Sequence, residues 1–104
     1  MSLSTHVLDA ASGLPAPSVP VRLERDGAVV AEAVTDADGR VRELGDLDAG
    51  TWRLVFDTGA YFAATGQEGF YPEVVVAFTV TDPQRHHHVP LLLSPFAYST
   101  YRGS

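Results

Sequence analysis

The sequence predicts an all-β sandwich with one short helix. Apolar and polar residues alternate with period two through most of its apolar stretches. These stretches recur at the 8–12-residue spacing of a sandwich or barrel and are separated by Gly, Pro and Asp turns. No strand–helix–strand rhythm of a parallel α/β sheet runs through the chain, and no internal repeat or low-complexity segment interrupts it.

In order, Leu3–Asp9 reads as a strand with Leu3, Thr5 and Val7 on one face and Ser4, His6 and Leu8 on the other. Ser12–Pro17 is a turn and extended segment, because Pro15 and Pro17 fix φ and bar helix. Ser18–Arg25 alternates again with Val19, Val21 and Leu23 inward, and Asp26-Gly27 is a two-residue hairpin signal leading into Ala28–Thr35. Thr35–Arg40 is a second tight turn with Gly39 at the expected positive φ. Val41–Leu44 suits a short strand, and Trp52–Phe56 a longer one with Trp52, Leu54 and Phe56 inward.

One stretch reads helical: Asp57-Thr58 offers an N-cap, Gly59–Thr65 holds about two turns, and Gly66 fits C′. Glu73–Thr81 is β-branched and follows the Tyr71-Pro72 break. His86–Ser94 and Ala97–Gly103 close the count at about eight strands, joined at Ser94-Pro95.

The 104 residues suit a single domain over 1–104, and 45% hydrophobic content suits a folded core. Seven Lys and Arg against thirteen Asp and Glu give a net charge of −6, which argues against nucleic acid or an anionic membrane as partner. With no cysteine there is no disulfide, thiolate nucleophile or zinc–thiolate site. No apolar run is long enough to span a bilayer as a helix, and Met1–His6 lacks the regions of a signal peptide, so a cytoplasmic location is expected.

The His86-His87-His88 run is the most unusual local feature. On a strand His86 and His88 face one way, roughly 6.6–6.8 Å apart, and His87 the other. Continued alternation puts His88, Pro90 and Leu92 on one face and Val89, Leu91 and Leu93 toward the core. Zinc would need a third ligand such as His6, and no other metal-ligand spacing exists, so no metal and no cofactor is expected. His86 reads as strand entry, His87 as structural and His88 as the chemical candidate.

Asp36-Ala37-Asp38-Gly39 imitates a calcium loop, but the twelfth position is Leu47 and not Glu, which leaves a hairpin turn. Nucleophile elbows, phosphate loops and paired carboxylates are absent from the sequence. What remains is histidine, arginine, tyrosine and a chain-end carboxylate, a set suited to acid–base work without a covalent intermediate.

Ser4–Asp9, Gly13-Leu-Pro-Ala16, Thr35–Arg40, Phe70-Tyr-Pro72, His88–Pro95 and Tyr98–Ser104 together resemble the transthyretin-related family, and within it the 5-hydroxyisourate hydrolase branch. The resemblance covers essentially the whole chain. Its most specific mark is the closing Tyr101-Arg102-Gly103-Ser104, which the hormone-carrying branch lacks. It implies a transthyretin- or prealbumin-like eight-stranded sandwich of two four-stranded sheets. Edge-to-edge dimers would pair face to face into a homotetramer, with active sites in the dimer–dimer channel.

The implied reaction is hydrolysis of 5-hydroxyisourate to 2-oxo-4-hydroxy-4-carboxy-5-ureidoimidazoline, on the route from urate to allantoin. The catalytic positions carried over are His6, Arg40, His88 and Ser104. Substrate contacts fall on His6, Arg40, Tyr101, Arg102 and Gly103. The histidines would activate water and return its proton, in an order the sequence leaves open. Ser104 would anchor the chain end and orient a catalytic group. His87 stands where the family commonly has tyrosine. The competing expectation is a non-catalytic small-ligand carrier or binding module on the same fold, whose channel should be apolar where this chain has His6, Tyr101 and Arg102.

Overall fold

The period-two alternation of Leu3–Asp9 produces the central strand, β1, of one of two sheets. Its inward residues Leu3, Thr5, Val7 and Asp9 are buried, while Ser4, His6 and Leu8 on the other face stay partly accessible. The computed structural model describes residues 3–103. The remaining strands are β2 (Leu14–Pro15), β3 (Pro20–Arg25), β4 (Ala28–Val34), β5 (Arg40–Val41), β6 (Gly50–Phe56), β7 (Val74–Val80), β8 (His87–His88), β9 (Leu91–Ser94) and β10 (Ala97–Thr100). The one helix, α1, is Thr58–Ala64.

β3, β4, β6 and β7 form a four-stranded antiparallel sheet in the order β4–β3–β6–β7. The other sheet runs β10–β9–β1–β2, with β5 and β8 also paired to β1. β8 and β9 lie parallel to β1 in one continuous register, Leu3 opposite His87 and Val7 opposite Leu91. β5 and β2 run antiparallel to β1, pairing with its first and second halves respectively. The ten strand pieces therefore make two sheets each four strands wide, as expected.

The differences from the expected eight strands have local causes. His86–Ser94 is not one strand: Pro90 has no N–H to give a ladder, so β8 and β9 are separate. Val89 N–H still donates to the Ser4 carbonyl at 3.0 Å, and the Pro90 carbonyl accepts from Thr100 Oγ1 at 2.7 Å. Val41–Leu44 shortens to Arg40–Val41, although Leu44 N–H donates to the Leu3 carbonyl at 2.8 Å. Ala97–Gly103 stops at Thr100, and Gly103 returns to the sheet only as an isolated bridge to His88. Leu14–Pro15, expected only as an extended segment, pairs with the end of β1.

The turns form as their residues dictate. Asp26 and Gly27 both have positive φ, 53° and 80°, the primed hairpin geometry that matches strand twist. Asp57 caps α1 by accepting from Ala60 N–H at 3.1 Å, a bond of about 1 kcal/mol, and Gly66 supplies a positive φ just past the helix end.

Between the sheets lie Leu3, Val7, Leu91 and Leu93 from one side and Val21, Leu23, Leu54 and Phe56 from the other, all almost fully buried. Each such aliphatic or aromatic side chain contributes roughly 1.5–3 kcal/mol. Asp9 enters this core with its charge answered. Tyr61 Oη donates to it at 2.7 Å, Gln67 Nε2 at 3.4 Å, and the Ala11 and Ser12 amides at 3.0 and 3.2 Å. Burial pushes the Asp9 carboxyl up, but these donors outweigh it and hold it below its ordinary value. The network ties α1 to the end of β1.

Candidate active site

Two structural devices converge on the outward face of β1. The first is the Asp36–Arg40 turn. Asp36 Oδ1 accepts from the Asp38 and Arg40 amides at 2.9 and 3.0 Å, and these bonds, that to Arg40 foremost, draw its carboxyl below the ordinary value. Gly39 has φ +75°, and a Cβ there would collide with the Val7 carbonyl oxygen, so only glycine lets the turn lie against β1. This docking sets Arg40 opposite His6 in the β1–β5 register. It also places the Asp38 carbonyl 2.9 Å from His6 Nε2. A carbonyl can only accept, so His6 carries a proton on Nε2, which leaves Nδ1 facing away from this contact.

The second device is the parallel pairing of β1 with β8, which puts Ser4 beside His88. Ser4 Oγ lies 2.7 Å from His88 Nδ1 and 2.8 Å from His86 Nε2. Gly103 closes the other side: its N–H donates to the His88 carbonyl at 2.8 Å, and its Cα rests against the imidazole.

A cleft of about 270 Å³ opens over this arrangement, lined by Ser4, Arg40, Arg42, His86 and His88 with Thr5 and Val41. Arg42 pairs with Asp38 at 3.7 Å and with Asp36 at 4.0 Å. Burial lowers the His88 pKa below its ordinary value, and the positive charge of Arg40, followed by His6 and His86, lowers it further. A hydrogen bond with the Ser4 backbone works the other way, the smallest of these effects. His88 is thus a neutral imidazole at neutral pH, able to accept a proton, in a cleft that favours anionic or carbonyl-rich ligands.

Of the residues singled out from sequence, the structure gathers His6, Arg40, His88 and Gly103. Tyr101 and Arg102 instead line a second cleft, about 290 Å³, with Val76, Phe78, His87 and Val89 along the edge of β7. It shares no lining residue with the first. His87 Nδ1 is buried there without a hydrogen-bond partner among the described residues. Ser104 lies outside the described residues.

Sequence reasoning passed over Ser4 and set His86 aside as strand entry, yet both line the cleft with His88. Alternation placed Ser4 on the same face as His6 and His86 on the same face as His88. What it lacked was the parallel register between two segments more than eighty residues apart. A larger cleft of about 360 Å³ on the other sheet is lined by Arg22, Glu32, Val34, Val55 and Asp57 and contains no histidine. Among the described residues no group of three or more His, Cys, Asp or Glu is placed to hold a metal ion.

Fold and site together define a transthyretin-like sandwich that carries a histidine–arginine cluster on the outer face of one sheet. The model of the HIUase/Transthyretin family matches residues 3–103, and the chain belongs to that family. It is 48% identical over 111 residues to a 5-hydroxyisourate hydrolase of Mus musculus, covering 98% of this chain and 94% of the relative. The solved structure of Klebsiella pneumoniae 5-hydroxyisourate hydrolase superposes with a TM-score of 0.93 at 42% identity, covering both chains completely. Sea bream transthyretin, solved in complex with thyroxine, superposes with a TM-score of 0.90 at 36% identity, covering 99% of this chain and 95% of that one.

Proposed function

We propose that this chain hydrolyses 5-hydroxyisourate to 2-oxo-4-hydroxy-4-carboxy-5-ureidoimidazoline, without metal or cofactor, as one functional domain over residues 1–104. The observation that carries the reading is the part-buried His88, held against Ser4 and Gly103 in an open cleft with Arg40, which pairs across the strands with His6. Similarity to named hydrolases over nearly the full chain supports it.

Opening a cyclic acyl–nitrogen bond needs an activated water, a cation for the developing oxyanion and a proton for the leaving nitrogen. In this reading His88 Nε2 takes the proton from water. Arg40 holds the substrate carbonyl with its planar fork of donors. His6, its Nε2 proton committed to Asp38, orients substrate or water through Nδ1. Gly103 seats His88, and the role of Ser104 rests on the family resemblance alone.

The functional unit in this proposal is a homotetramer. β7 and β10 end their respective sheets with no partner strand on their outer sides among the described residues, and all four residues of β10 are exposed. Contact of Tyr101 and Arg102 with substrate would require that assembly, since within one chain they line the second cleft. A cytoplasmic location is part of the same proposal. No helix among the described residues is long and apolar enough to cross a membrane.

A carrier without catalysis would give His88, His6 and Arg40 no chemical task. The test follows the absorbance of 5-hydroxyisourate made freshly from urate by urate oxidase, with and without the protein. Accelerated decay is expected, falling on the order of 10²–10⁴-fold in His88→Ala. Decay unchanged by the protein would overturn the proposal. Native mass spectrometry reads the tetramer.

A further inference from the structure

We propose that Ser4 and His86 are positioning residues that form, with His88, a proton relay: Ser4 couples the tautomers of the two imidazoles and passes the proton taken by His88 out to His86. The inference rests on the reading of His88 as the base.

A hydroxyl has one proton to give, so Ser4 Oγ, within 2.7 and 2.8 Å of two ring nitrogens, donates to one of them and accepts from the other. Two arrangements satisfy the chain. In one, His88 Nδ1–H donates to Ser4, Ser4 donates to His86 Nε2, and His88 Nε2 keeps a lone pair, ready to act as base. In the other, His86 Nε2–H donates to Ser4, Ser4 donates to His88 Nδ1, and His88 Nε2–H is a proton donor. The state of His86 therefore selects whether His88 presents a base or an acid to the cleft.

Hydrolysis needs both in turn. Water attacks the substrate carbonyl carbon, forming the C–O bond as its O–H proton goes to His88 Nε2. His88 Nδ1–H passes to Ser4 Oγ, whose own proton passes to His86 Nε2. His88 ends neutral with its proton on Nε2, Ser4 regains its hydroxyl, and the positive charge sits on His86. His88 Nε2–H then stands ready to protonate the leaving nitrogen as the C–N bond breaks. As that proton leaves, the relay runs back: His86 Nε2–H passes to Ser4 Oγ and Ser4's own proton passes to His88 Nδ1, so all three groups end as they began.

The surroundings favour this direction. An imidazolium at His88 would be part-buried and would face Arg40 from β5, Arg42 just beyond it and His6 from β1, with Arg102 next to the bridging Gly103. Asp36 and Asp38, the carboxylates of the turn that carries Arg40, are engaged by Arg42. His86 is exposed, so water solvates the charge that the relay delivers there.

The test compares Ser4→Ala, Ser4→Thr and His86→Ala with the wild type on 5-hydroxyisourate, together with ¹⁵N NMR of the His88 ring nitrogens in ligand-free protein. Ser4→Ala and His86→Ala should lower kcat about 10- to 100-fold, short of the full acid–base contribution, with KM little changed. Ser4→Thr, which keeps a hydroxyl, should retain most activity. Added imidazole buffer should restore His86→Ala and leave wild type unaffected, a response that a merely structural hydrogen bond would not give.

The His88 tautomer ratio should differ between wild type and His86→Ala, and in a Ser4→Ala background that dependence on His86 should vanish. Wild-type kcat in Ser4→Ala, or a His88 tautomer indifferent to His86, would overturn the relay. Full activity in His88→Ala would overturn the underlying reading instead, whatever the NMR coupling shows.

Discussion

Gly103 lies against His88 so closely that a Cβ at position 103 would stand 2.5 Å from His88 Cδ2. The bridge that joins them, Gly103 N–H to the His88 carbonyl at 2.8 Å, leaves the backbone no room to yield. The imidazole would have to turn, and with it the Nδ1 contact to Ser4.

Gly103→Ala should therefore cut kcat by about 10²-fold, the order expected when a reacting group is displaced by about 1 Å. Because the core residues are not involved, Tm should move by only a few degrees. Steady-state kinetics beside a thermal melt checks both, and a fully active Gly103→Ala would mean that the ring has room to adjust.

Arg40→Gln should move the pH dependence of kcat/KM as well as its size. Burial is the larger cause of the lowered His88 pKa and Arg40 the next, so removing the guanidinium raises that pKa without restoring the ordinary value. The base is active when neutral, so activity in wild type persists below the usual histidine range. In Arg40→Gln the acid limb should shift to higher pH. A pH–rate profile read against a ¹H–¹⁵N titration of His88 measures the shift, and an unmoved limb would dissociate Arg40 from His88.

Tyr61→Phe should cost about 1–3 kcal/mol by leaving the buried Asp9 one donor short. Burial first, and then the bond to Asp9, pushes the Tyr61 phenol up to about 12 from an ordinary 10.0. The raised value favours the neutral phenol in the folded chain. Its contribution is thus complete below about pH 10 and lost as pH climbs through about 12. Urea midpoints at neutral pH and between pH 10 and 12 should show a steeper alkaline decline in wild type than in Tyr61→Phe. Parallel curves would place the alkaline sensitivity elsewhere.

Most of the sandwich was legible because its chemistry is local. Alternation in Leu3–Asp9 and Trp52–Phe56, positive-φ residues at Asp26-Gly27 and Gly39, and the cap at Asp57 each report their own few residues. Pro90 was visible in the sequence, yet its power to split a strand depended on which edge its missing N–H faced.

The site was half legible for a related reason. His88 stood out by residue type and face and His6 through the family resemblance, whereas Ser4 became important only through a parallel register that no local pattern encodes. Tyr101 and Arg102, placed at the site by family resemblance, follow the end of β10 at Thr100 and line the cleft beside β7. Alternation did set His87 on the core-side face with Val89 and Leu91, but did not foretell that its buried Nδ1 would find no hydrogen-bond partner among the described residues.

The contact between His6 and residue 38 is made by a carbonyl, not by a side chain. Any amino acid supplies that oxygen, so position 38 can drift through evolution without disturbing His6. The steric constraint falls instead on the neighbour, Gly39, whose positive φ aims the carbonyl and which lies outside the cleft lining. A variant library spanning this turn should reveal that inversion: the residue that meets the histidine tolerant, and the silent one beside it fixed.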